Sequence, residues 1–156
     1  MDKENNVVID IAEQPEADQG GKPVRIKNVS VQICGKTVPL RLTMRGVIQI
    51  EEELDMDPDE VRTKLSEPRK KNTKMMITVL RILGNEGLRL KGEEQDLTDE
   101  KIMDSITPYE RDIYRVGAVA AVTKGIYMET DNSYDEKQDV VLNEILKKNT
   151  GSQAGA

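Results

Sequence analysis

Between Val29 and Met44 the apolar residues alternate strictly with polar ones. Val29, Val31 and Ile33 take every second position before Gly35-Lys36, and Val38, Leu40, Leu42 and Met44 do so after it. A period of two puts alternate side chains on one face, which predicts a half-buried β-hairpin. Val24 and Ile26 fall out of phase with Val29, so a bulge or bend is expected near Lys27-Asn28. Pro39 has no N–H to give to a ladder, and its strand is expected at an edge or facing solvent on that side. Two strands alone are marginal and need a helix against them.

The period then becomes helical. Thr43 can cap a helix whose Met44, Val47, Ile48 and Leu54 share a stripe, with Glu51, Glu52 and Glu53 behind. Asp57-Pro58-Asp59-Glu60 reads as a sharp helix start, with Asp57 as cap and Pro58 at the first position, opening a short helix through Leu65. Ser66-Glu67-Pro68 restarts the chain, and Met76, Val79, Leu80 and Leu83 recur at helical spacing until Gly84-Asn85-Glu86-Gly87 is expected to stop them. Leu88 to Gly92 reads as a brief extended link or lone strand, and Thr98 opens a short helix carrying Ile102, Met103 and Ile106. Thr107-Pro108-Tyr109-Glu110 is the best cap in the chain. Its helix should run to about Met128 and bury Ile113, Val116, Ala120 and Tyr127. Gly117, Ala118, Ala120 and Ala121 leave little bulk, so another helix could approach closely there.

The ends differ from this middle. Residues 1–23 read as a flexible acidic arm around one apolar patch, Val7 to Ile11, which would alternatively be an edge strand or a partner-docking strand. Residues 131–156 read as a short amphipathic helix with Val140, Val141, Leu142, Ile145 and Leu146, then a loose tail. Residues 24–130 form the expected domain: α+β, mostly α-helical, with an N-terminal β-hairpin packed on a small helical bundle.

Composition narrows the chemistry. No Phe or Trp is present and 33% of the residues are charged, so the core must be filled by Ile, Leu, Val, Met and Ala. A net charge of −6 works against nucleic acid, whose affinity comes from clustered Lys and Arg. The acidic start does not resemble a signal peptide and no apolar run is long enough for a bilayer, which places the chain in a cytoplasm, away from membranes. Cys34 is the only cysteine, so no internal disulfide can form, and it has no histidine to activate it. The absence of any histidine removes most zinc sites, triads and neutral-pH acid–base pairs. No catalytic residue, metal or cofactor is expected.

Several clusters invite a functional reading. Asp55, Asp57 and Asp59 alternate like half a calcium loop, but Glu60 stands where the turn glycine belongs and helix capping already accounts for them. Arg69, Lys70, Lys71 and Lys74 gather at a predicted helix start, where the macrodipole disfavours positive charge. That placement suits an acidic partner; the plain alternative is a solvated face near Glu67. Among the methionines, Met76 and Met103 fit the core, whereas Met75, beside the basic cluster, is the contact candidate. Arg69, Lys70, Lys71, Lys74 and Met75 are therefore the expected partner-binding residues.

The run Gly35-Lys36-Thr37-Val38-Pro39-Leu40-Arg41-Leu42-Thr43-Met44-Arg45 into Ile48-Gln49-Ile50-Glu51-Glu52-Glu53-Leu54 resembles tail assembly chaperones of long-tailed, siphovirus-like bacteriophages. Leu80-Arg81-Ile82-Leu83, Leu97-Thr98-Asp99-Glu100-Lys101-Ile102 and the Ala-rich Val119-Ala120-Ala121-Val122 are also similar, over roughly residues 25–130. The resemblance rests on hairpin, helices and caps, with no invariant chemistry. It implies a protein that binds the tape measure protein, keeps it soluble, brings tail tube subunits to it in the host cytoplasm and is absent from the mature virion. Self-association stays open, as does a frameshifted longer form suggested by Lys147-Lys148-Asn149. The alternatives are a structural tail or head-tail virion protein and a carboxylate-based metal enzyme centred on Glu51, Glu52 and Asp55.

Overall fold

The computed structural model describes residues 6–11, 25–68 and 70–128. Strands β1 (Val7–Ile11), β2 (Ile26–Ile33) and β3 (Lys36–Pro39) precede helices α1 (Met44–Leu54), α2 (Pro58–Leu65), α3 (Thr73–Lys91), α4 (Asp99–Ser105) and α5 (Arg111–Tyr127). A 3-10 turn, Pro108–Glu110, leads into α5. The domain is α+β and mostly helical, as the periodicities require.

The hairpin forms, and a third strand joins it. The apolar patch at Val7 to Ile11 is the edge strand β1 of a three-stranded antiparallel sheet ordered β1-β2-β3. Val7 pairs with Val31 and Ile9 with Val29, which sets two β-branched pairs toward the helices. The register shifts between Asp10, opposite Asn28, and Ile11, opposite Ile26, so Lys27 is the extra residue where the phase break predicted a bulge. The turn is Cys34-Gly35, with φ of 56° and 79°, one residue earlier than the Gly35-Lys36 reading. Two consecutive left-handed residues give the tight hairpin turn whose twist matches its strands.

Val29, Val31, Ile33 and Val38 are buried under the helices. α5 lies across β1 and β2, while α3 packs against β3, α1 and α5. The Tyr114 hydroxyl donates to the Gln32 carbonyl at 2.7 Å, tying α5 to the sheet. The small residues of α5 do permit close approach: α2 and α3 pack against this helix, and at Gly117 strand β1 comes in as well, where a Cβ would lie 2.8 Å from Val7 Cγ1. The buried face of α5 is Tyr114, Gly117, Ala118, Ala121 and Val122, with Ala120. Ile113, Val116 and Tyr127, expected inside, are exposed, because the buried face of α5 is the one held between the sheet, α2 and α3, and these three fall outside it.

α1 shows the same kind of difference. Thr43 caps it, its hydroxyl oxygen accepting from the Gly46 N–H at 3.0 Å. Only Gly46 and Ile50 are buried, since α1 rests mainly on α3; Val47 and Leu54 are half-buried, and Met44 and Ile48 are exposed. Asp57, Thr98 and the Thr107–Glu110 capping box start their elements as predicted.

α3 does not stop at Gly84-Asn85-Glu86-Gly87 but runs through Leu88-Arg89-Leu90-Lys91 to a left-handed Gly92, φ 84°. Each residue of that tetrad has a packing role. Gly84 and Gly87 let β3 approach, Arg41 N–H donates to Leu83 O at 3.1 Å, and Asn85 exchanges two 3.1 Å bonds with the Leu97 backbone. The glycines cost helix propensity, about 1 kcal/mol each, which the close contact with β3 offsets. α3 also begins later than Ser66-Glu67-Pro68 suggests. Asn72 is buried and its amide donates to the carbonyls of Lys64 and Glu67, both at 3.0 Å, folding the connection back onto the end of α2.

Glu86 is 1% exposed. Its carboxylate accepts from Arg89 Nη2 at 2.8 Å and from the Thr43 hydroxyl, joining α3 to the cap of α1. The Arg89 bonds, helped by Thr43, hold its pKa below the ordinary 4.5 against the opposing effect of burial. A lowered acid pKa contributes stability that is complete above about pH 4.5 and lost as pH falls through the folded value. We therefore expect urea midpoints at pH 7 and pH 3 to differ less in Glu86→Gln than in the parent; an unchanged difference would remove Glu86 from the acid response.

Residues 131–156, with the expected amphipathic helix and the Lys147-Lys148-Asn149 run, lie outside the described residues, as does Arg69.

Candidate binding groove

An open hollow of about 670 Å³ lies where the start of α3, α4 and the start of α5 meet. Met76, Ile77, Met103, Ile106 and Pro108 supply apolar lining, and Lys74, Arg111 and Asp99 stand among them. Met103 is 55% exposed, not the core residue expected, because a helix of seven residues packed mainly on α3 turns only Ile102 fully inward.

The expected partner-binding residues divide around this hollow. Lys74 lines it. Lys70 and Lys71 are exposed on the connection just before α3. Met75 is half-buried and packs against the core, so Met103 takes the accessible position that Met75 was expected to hold. Arg111 was not singled out from the sequence. Its guanidinium donates to Thr73 Oγ1 at 2.7 Å and to the Lys70 carbonyl at 3.4 Å, bringing the basic connection against the start of α5. The one acid in the lining, Asp99, accepts from Arg81 Nε at 2.7 Å, and Arg81 also binds Glu53 of α1. The groove thus has a positive rim on a chain of net charge −6.

The other clusters have structural occupations. Asp55 is the left-handed C-cap of α1, Asp57 caps α2, and Asp59 accepts from Arg62 and from the Tyr127 hydroxyl at 2.6 Å. Those bonds, Tyr127 first, hold Asp59 below its ordinary pKa. Asp55 acts through its backbone and Asp57 and Asp59 through separate side-chain contacts, and among the described residues no group of three potential ligands is placed to hold a metal ion. Glu51 and Glu52 are exposed on α1, while Glu53 is taken by Arg81. Cys34 is exposed at the hairpin turn, its N–H donating to Ser105 Oγ at 3.0 Å.

Fold and groove together define a mostly helical α+β domain with an exposed apolar cleft rimmed by cations. No protein-family model, curated protein or solved structure matches this chain. Among the described residues no helix is long and apolar enough to cross a membrane.

Proposed function

We propose that this protein is a phage tail assembly chaperone: it holds helical segments of the tape measure protein in the α3–α4–α5 groove, keeps that client soluble and recruits tail tube subunits. It acts in the host cytoplasm and leaves before the virion is complete. The observation that carries this reading is the groove itself, an accessible Met-containing apolar lining beside Lys74 and Arg111. Helix-in-groove recognition needs such a lining, and methionine adapts to imperfectly matched client surfaces. The net charge of −6 helps keep a complex with an apolar client in solution.

The test is co-expression with a phage tape measure protein, a long helical chain. The parent should move that product from the pellet to the soluble fraction. Met103→Asp should weaken client binding about tenfold or more, as expected at an interface centre, with little change in melting temperature because the side chain is 55% exposed. A client equally insoluble with and without the parent would end this reading.

A further inference from the structure

Among the described helices, α3 alone begins with neither an acid in its first turn nor a side-chain cap. α2, α4 and α5 carry acids there, Asp59 and Glu60, Asp99 and Glu100, and Asp112, where the helix dipole favours them. α1 has no acid at its start but takes the Thr43 side chain as its cap. At α3 the Asn72 amide is engaged with the carbonyls of Lys64 and Glu67 and caps nothing. Lys74 stands in the first turn instead, exposed, and Lys70 and Lys71 are exposed on the chain just before it. Like charges gathered at the positive end of a 19-residue helix oppose the field of its own backbone. A negative group arriving from outside would relieve that opposition.

This end of α3 opens on the α3–α4–α5 groove, where Thr73 and Lys74 line the hollow beside Ile77, Met103 and Ile106. The other charges of the lining are already matched. Asp99 is held by Arg81, and Arg111 meets Asp112 at 3.6 Å while its Nη1 bonds Thr73 Oγ1 and the Lys70 carbonyl. Arg111 therefore positions the basic connection, and the exposed lysines give this end of the groove its sign. An apolar cleft with cations at one end is complementary to a helix that is apolar along one face and acidic at one end of it.

We infer that the groove selects amphipathic helices bearing a pair of carboxylates at one end of the apolar stripe. The stripe, with apolar residues at spacings of three and four, lies on Ile77, Met103 and Ile106. The carboxylates meet the N–H groups left uncapped at the start of α3 and the ammonium groups of Lys74 and Lys71, so the partner supplies the negative charge that α3 lacks. This selectivity rests on the groove being, as proposed above, the site that holds a helix; the acids are what the client must add.

The probe is a short fluorescein-labelled helical peptide, with leucines along one face and a pair of glutamates beside one end of that stripe. It is added to the full chain and compared with its glutamine counterpart. Fluorescence anisotropy should show the glutamate peptide binding about fivefold more tightly in ~0.05 M salt, with the difference mostly gone at about 1 M, where charges are screened beyond about 3 Å. Lys71→Glu and Lys74→Glu together should invert the preference and transfer it to a peptide carrying lysines in place of the glutamates. The same reversal should hold or raise the melting temperature, since acids suit the start of a helix, so lost binding is not lost folding. Equal affinities of the parent for the glutamate and glutamine peptides would overturn the inference, as would a preference that survives the reversal or no binding at about 1 mM peptide. Equal affinities that both vanish in Met103→Asp would remove the acid requirement while leaving the groove as a helix site. A tape measure protein that stays insoluble beside an intact glutamate preference would end the chaperone reading and leave this selectivity standing.

Discussion

Gly87→Ala is expected to lower the unfolding free energy by about 3 kcal/mol, a large part of what a domain of this size has. The added Cβ would lie 1.7 Å from the Pro39 oxygen and 2.6 Å from its carbonyl carbon. Both are backbone atoms, so no side-chain rotation can relieve the overlap and α3 must move off β3. Gly92→Ala is the control. It has nothing within 4 Å, and its φ of 84° limits the cost to about 1 kcal/mol of left-handed strain. Equal urea midpoints for the two variants would mean that α3 and β3 are not in contact.

Tyr114→Ala should be of similar size, about 3–5 kcal/mol, because it empties the largest fully buried side chain in the core. Tyr114→Phe separates the hydroxyl from the ring: it loses the bond to Gln32 O and should cost about 1 kcal/mol. Burial, reinforced by Glu110, pushes the phenol up from 10.0 to about 12. A raised folded pKa contributes nothing to pH dependence below 10.0, then loses stability as pH climbs toward about 12. Base denaturation should accordingly begin later in Tyr114→Phe, read by far-UV circular dichroism relative to its own neutral-pH stability. Coincident base transitions in the two proteins would show that this phenol does not govern alkaline unfolding.

Features written in neighbouring residues were legible. Thr43, Asp57, Thr98 and Thr107 cap their elements because capping needs only a side chain and an N–H three residues on. The alternation around Cys34-Gly35 and the slip at Lys27 are likewise local. What failed is what distant partners decide. Gly84 and Gly87 read as a stop when considered alone, yet they are where β3 meets α3, and nothing within one turn indicates that strand. α1 and α5 each carry apolar residues on more than one side. The faces chosen depend on α3 and on the sheet, so Met44, Ile48, Ile113 and Val116 end outside.

Of the expected partner-binding residues, Lys74 reached the groove because its helical position fixes its direction. Met103 and Arg111, which line the same hollow, were not singled out as contact candidates, since their placement arises only where α4 and the start of α5 converge on α3. The apolar patch at Val7 to Ile11 carried a strand signal, but its partner β2 begins at Ile26, and pairing across that interval leaves no local mark.

The Tyr114–Gln32 bond spans 82 positions. On the ribosome, which releases the chain from its N-terminal end, the sheet therefore emerges well before the helix that roofs it. Val29 and Val31 must wait, wetted or held by some transient cover, until α5 has cleared the exit tunnel. Completion of the native core is thus timed by translation of the last described helix rather than by formation of the first hairpin.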